Sequence, residues 1–214
     1  METPESAETA PPDAAPPAHA LDPRAPDQAE LLLRYLQRAR ESLLGSLDGL
    51  SDHDVRRPMT PTGTSLLGLV KHVAGVEMGY LGACVGRPLP DPPAWDDDAA
   101  YDAGADMWAT AEESREEVEG LYRRTWAHAD ATVRTLRLDA PAEVPWWPED
   151  RRRTTLGWLL VHHLDETAHH AGHADVLRES LDPRSGRVKD PGRDDAWWEA
   201  HVAEVQAAAD AHRG

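Results

Sequence analysis

Four stretches of this chain bring back their apolar residues every three or four positions, and each stretch is closed off by Pro or Gly. No stretch alternates apolar and polar residues convincingly as a half-buried strand would, so the fold class expected is all-α. The first stripe is Leu31, Leu32, Tyr35, Leu36, Ala39, Leu43, Leu44 and Leu47, behind Asp27 and Glu30 at capping-box spacing, and it ends at Gly49. The second is capped by Thr64 and runs through Leu69, Val73, Val76 and Tyr80 to about Val85, where Gly86 and Pro88 stop it. The third spans about Ala109 to Leu136 on Val118, Leu121, Tyr122, Trp126, Ala129 and Val133. The fourth begins near Thr154 or Thr155 and carries Leu156, Leu159, Leu160 and Leu177. Four such stripes pack as a four-helix bundle. A last helix, about Asp194 to His212, forms a C-terminal extension, with Trp197 and Trp198 expected to dock it onto the core.

The fourth helix carries more than its apolar stripe. His162, Glu166, His170 and His173 recur at steps of three and four, so a helix places them on one face. Turning imidazoles and a carboxylate inward is costly unless they are paired, and neutral His and ionised Glu are ordinary ligands of Zn²⁺ and its neighbours. Spacing alone permits His162 with Glu166, Glu166 with His170, or His169 with His173. Bundles build metal sites from facing helices, which makes His72 on the second helix the natural partner. Its face also carries Ser65, Gly68, Gly75, Gly79 and Ala83, small residues that admit a close helix or leave room for a ligand. Taken alone, His72 would read as a hydrogen-bonded core residue. Cys84 lies about 120° round the helix from it, which argues against a thiolate ligand.

Composition narrows the partners. Asp plus Glu number 39 against 22 Lys plus Arg, a formal net charge of -17, so a nucleic-acid backbone would be repelled over most of the surface. The one dense basic cluster is Arg151, Arg152 and Arg153, which either holds an anion at a helix N-terminus, Arg151 and Arg153 being the cofactor-binding candidates, or is a solvated run of charge. No apolar run is long enough to span a membrane, no signal pattern opens the chain, and Cys84 is the sole cysteine, so a cytoplasmic protein without disulfides is expected. The scarcity of Lys beside abundant Ala, Arg, Asp and Pro resembles an actinobacterial composition. Residues 1–26 are rich in Pro and poor in apolar bulk, and read as a disordered tail ahead of a bundle at 27–182 and a linker and helix at 183–214. Residues 87–108, rich in Pro and Asp, read as a functional crossover. Trp146 and Trp147, between two prolines, line a substrate mouth or plug a bundle end. No phosphate loop, nucleophile elbow or Cys/His pair occurs.

Three segments resemble a known family: Leu67-Gly68-Leu69-Val70-Lys71-His72-Val73-Ala74-Gly75-Val76-Glu77, Val144-Pro145-Trp146-Trp147-Pro148, and the run from Glu166 to Glu179 that contains His169-His170-Ala171-Gly172-His173. They are similar to the DUF664 branch of the DinB-like superfamily over about residues 28–182. That superfamily includes mycothiol-dependent maleylpyruvate isomerases and bacillithiol transferases. The resemblance implies a four-helix bundle with a divalent metal in its core, held by His72, Glu166 and His170, with His162 and His173 beside the ligands or toward the substrate as catalytic candidates. It gives His169 no role. Zinc is the first expectation for the metal, with nickel, iron or manganese as alternatives. The function implied is a metal-dependent thiol S-transferase or isomerase with mycothiol as co-substrate and an electrophilic small molecule as its partner, acting as a monomer or homodimer. Two competing readings are a non-catalytic, metal-stabilised binding module and a metal-dependent hydrolase in which bound hydroxide attacks and His162 or His173 carries protons.

Overall fold

The computed structural model describes residues 27–185 and 192–213, and the expectation of a disordered tail at 1–26 lies outside them. Four long helices carry the four apolar stripes: α1 (Gln28–Gly45), α3 (Leu66–Tyr80), α5 (Arg115–Thr135) and α6 (Leu156–Leu181). Two single-turn helices, α2 (Asp52–Arg56) and α4 (Asp98–Asp102), lie in the connections, and α7 (Asp195–Asp210) follows the bundle. The protein is thus all-α, with one small exception. Residues Pro141–Glu143 (β1) and Arg153–Thr155 (β2) pair antiparallel, Pro141 opposite Thr155 and Glu143 opposite Arg153. Strands of three residues are too short for alternation to show in sequence, and the stretch from Asp139 to Arg153 reads there as loop.

Contacts between the helices fix their directions. On α1 and α5, Glu30 meets Arg134 while Leu47 and Leu50, just beyond α1, accept from Arg115, so the two run opposite ways. Tyr80 on α3 meets His162 on α6 and His72 meets Glu166, another antiparallel pair. Lys71 and Glu77 meet Glu113 and Thr125 in the same order, so α3 and α5 are parallel. Consecutive long helices that run parallel need a return connection along the bundle, and residues 81–114 supply it. The length of that crossover is therefore a demand of topology.

The caps explain the observed boundaries. Ser65, rather than Thr64, accepts from Gly68 N at the start of α3. Ser114 and Glu117 form a complete capping box, so α5 starts at Arg115 and not near Ala109. Thr155 caps α6 through Trp158 N. At α1 the expected box does not form: Asp27 makes no side-chain cap bond, and Glu30 is drawn instead to Arg134 at 2.8 Å. The helix ends at Gly45, short of Gly49. Beyond Tyr80 only a 3-10 turn over Ala83–Val85 continues, closed by left-handed Gly86 with φ 72°.

Between the helices the core divides into two apolar clusters with a polar layer between them. One cluster gathers Leu43, Leu47, Leu66, Val70, Leu121 and Ala174, and the other Leu36, Leu81, Val133, Leu156, Leu159 and Leu160. In the layer each long helix contributes a buried polar residue: Arg40, Glu77, Thr125 and His163. Arg40 is ion-paired to Glu77 and, at 2.8 Å, to Asp130, while His163 Nε2 lies 3.6 Å from Glu77. Burial disfavours the Glu77 carboxylate, but the charge of Arg40 and the contact with His163 outweigh it and hold its pKa below the usual range.

The last helix departs from expectation. No residue of α7 is buried, and Trp197, Val202 and Val205 are exposed. Trp197 lies under the Arg193 guanidinium at 3.5 Å and against the His201 ring, contacts made within its own segment. Trp198 beside it is half-buried.

Candidate metal centre

Where α3 faces α6, three side chains converge. His72 sits mid-way along α3, and Glu166 and His170 stand one turn apart on α6. His72 Nε2 is 3.7 Å and His170 Nε2 3.0 Å from Glu166 Oε1, the two rings meet edge to face at 4.9 Å, and one ligand atom from each residue lies within 4.8 Å of the others. All three are half-buried.

The donor chemistry suits a divalent cation. Burial, reinforced by the neighbouring His72, pushes the His170 pKa down, so its ring is neutral at neutral pH. Burial works against ionisation of Glu166, yet His170 and His72 together hold its pKa below the usual carboxylate range. His72 Nδ1 lies 2.6 Å from Asp106 Oδ2, a carboxylate that accepts the Nδ1 proton and turns the Nε2 lone pair toward Glu166. His170 Nδ1 is buried without a hydrogen-bond partner among the described residues, which also marks the site as more than a packed core. Two imidazoles and one carboxylate could hold a metal ion and leave a position open.

Asp106 is a residue that helical spacing does not reveal, because it comes from the crossover. The crossover is pressed against the same face of α3 as His72. A Cβ on Gly68 would stand 2.2 Å from the Met107 carbonyl oxygen, and one on Gly75 would stand 2.8 Å from the Tyr101 hydroxyl and 3.2 Å from the Trp95 ring. Between them the buried Lys71 ammonium donates to Ala105 O at 2.7 Å, Trp108 O at 3.0 Å and the Glu113 carboxylate. The small residues of this face therefore receive the crossover, rather than a neighbouring helix. A Cβ on Gly79 would stand 3.3 Å from the ring of Trp146.

The remaining candidates separate into an aromatic end and an exposed end. His162, half-buried, stacks on Trp158 at 5.2 Å and meets Tyr80 and Trp147 edge-on at 4.9 and 5.4 Å. Trp147 and Tyr80 thus wall one end of the α3–α6 seam, while Trp146 is exposed beside them. His173 is exposed, with its ring 5.5 Å from that of His170. Arg151 and Arg153 are exposed on the ribbon ahead of α6. Glu166 is ten residues into that helix, roughly 15 Å along its axis. They are not brought to the cluster. Cys84 is buried in the apolar cluster at the other end of the core, and burial lifts its thiol to about 11.

A helix bundle whose facing helices gather a His/Glu/His cluster fit for a metal ion defines the class of this protein. Residues 31–183 match the family model described as Mycothiol-S-transferase, and the chain belongs to that family. No curated protein matches it. Membership implies a small-molecule thiol as substrate. Among the described residues no helix is long and apolar enough to cross a membrane.

Proposed function

We propose that the protein is a metal-dependent thiol S-transferase of the DUF664 branch that joins mycothiol to an electrophilic small molecule. The observation that carries this reading is the convergence of His72, Glu166 and His170 in a chain of the mycothiol-S-transferase family. These three residues would hold one divalent ion, zinc in the first instance and nickel, iron or manganese otherwise. When bound, such an ion lowers the pKa of a thiol that reaches it, so that the sulfur is nucleophilic at neutral pH. The chain's own residues do the rest. Asp106 fixes the tautomer of His72 through a 2.6 Å hydrogen bond. The S–H bond breaks and an S–C bond forms, with the electron pair on the attacked carbon passing to its leaving group or opened bond, so the thiol proton has to leave the sulfur. His162 and His173, one turn from the ligands along α6, would take it. The rings of Trp147 and Tyr80 beside His162 exclude water from one side of the seam. Arg151 and Arg153 would attract an anionic group on the electrophile from the surface, through charge and not through contact with the cluster.

The test begins with metal content. Wild-type protein should hold about one equivalent by elemental analysis after desalting, and the His72→Ala, His170→Ala double variant should hold none that survives that step. Conjugation of a model electrophile should then require both metal and mycothiol. Full metal occupancy in the double variant would overturn the site. Equal conjugation without the thiol would overturn the chemistry.

A further inference from the structure

One group of imidazoles reaches the surface. His169 and His173 are both exposed, stand one turn apart on α6, and bring their ring centroids to 4.4 Å. The contacts continue inward: His173 to His170 at 5.5 Å, and His170 to His72 at 4.9 Å. Four rings in sequence thus lead from solvent to the cluster. Neither exposed ring helps to fill the core. Two His residues at i and i+4 on one helix face have the spacing with which a helix grips a divalent metal, and imidazole suits zinc, copper, nickel and cobalt. The formal charge of -17 raises the concentration of cations at this surface. Elsewhere around the cluster, the Asp106 carboxylate backs His72, and Trp95 and Tyr101 cover Gly75 one turn along.

We propose that His169 and His173 form a surface capture site for a divalent transition-metal ion and hand it to His170, and so to the cluster with Glu166 and His72, by stepwise exchange of ligands. This rests on the metal-site reading given above. As the cation arrives, the Nε2 proton that His170 donates to Glu166 is exchanged through solvent for one on Nδ1, so the ring stays neutral, no net proton is released and no other bond is made or broken. A relay of this kind is a path and not a source of affinity. It speeds entry and exit by the same factor and leaves the equilibrium constant of the cluster where it was.

The experiment measures rates on the full-length chain. Metal-free protein is mixed with cobalt(II), whose d–d absorption reports occupancy, and the loaded protein is then challenged with excess EDTA. In His169→Ala, uptake at micromolar metal should slow by about tenfold or more, because capture makes the second step intramolecular with an effective concentration on the order of millimolar. Extraction by EDTA should slow by the same factor, with the equilibrium affinity unchanged. A second variant isolates the capture site: with His72→Ala and Glu166→Gln in place, a weak cobalt equivalent should persist in calorimetry and disappear when His169→Ala is added. Wild-type rates in His169→Ala, or a weak equivalent that survives that change, would overturn the relay while leaving the cluster intact. Failure of wild-type protein to take up cobalt at equilibrium would instead overturn the metal reading beneath it.

Discussion

Replacing Gly68 by Ala tests whether the crossover is part of the metal centre. The new Cβ would lie 2.2 Å from Met107 O and 2.9 Å from Ser65 Oγ, well inside contact distance. The crossover backbone would have to retreat by about 1 Å or more to reach an ordinary carbon–oxygen separation. Asp106 is the residue next to Met107, and its bond to His72 is 2.6 Å long, so the same retreat carries the pair to roughly 3.6 Å, where a hydrogen bond no longer exists. Overpacking at such a contact costs about 1–3 kcal/mol. For a domain of this size that is a fall in Tm of roughly 2–12 °C. Loss of the carboxylate behind a ligating His weakens metal binding by about 10–100-fold. Calorimetric melting and metal titration of the same preparation read both effects. Two controls separate them. Asp106→Ala should lose the affinity without the clash, and Gly172→Ala, whose Cβ would meet nothing within 4 Å, should leave Tm unchanged or slightly raised. A Gly68→Ala protein that melts and binds metal as wild type does would refute the account of the crossover.

Three further outcomes follow from the buried groups and the seam. Glu77→Gln should cost about 3 kcal/mol in urea unfolding at pH 7, since it removes one of the two carboxylates, Glu77 and Asp130, that balance the charge of the buried Arg40. Because the folded pKa of Glu77 is depressed, its contribution is present above the unfolded carboxylate value and is lost as pH falls through the folded one, so the variant and wild type should converge as pH falls below the ordinary carboxylate range; a deficit that stays constant with pH would contradict this. Cys84, buried with its thiol lifted to about 11, should resist iodoacetamide at pH 7.4 in the native protein and react fully in urea, and rapid native labelling would show that the α3 end opens. Trp147→Ala, which removes the ring shared by Tyr80, Trp158 and His162, should lower stability by about 3 kcal/mol, and an unchanged urea midpoint would mean that this wall carries no packing.

What the sequence reveals is what repeats along a helix. The stripes of α1, α3, α5 and α6 are local patterns, and so is the placement of Glu166 and His170 on one face; His72 enters through its mid-helix position and the resemblance. Asp106 is invisible to such a reading because it reaches His72 from a loop with no period, although Gly68 and Gly75, on the face of His72, were the trace of that approach. The layer of Arg40, Glu77, Thr125 and His163 is hidden for a different reason. Each residue is a single polar break in an apolar stripe, and only packing shows that the four breaks lie at one level. His163 next to His162 illustrates the point: one faces the core, the other the aromatic wall. At α5 the Ser114–Glu117 box was present in the sequence, but the apolar residues upstream hid it. On α7 the tryptophan pair reads as a docking face because aromatic rings usually find cover, yet Trp197 is exposed and packs against Arg193 and His201 of its own segment.

The central claim is that the cluster on α3 and α6 brings a thiol to a metal ion. Cobalt(II)-substituted protein titrated with mycothiol tests it directly. The account predicts a sulfur-to-cobalt charge-transfer band in the near ultraviolet that saturates at one equivalent and is absent from the His72→Ala, His170→Ala variant. A spectrum that millimolar mycothiol leaves unchanged would contradict it.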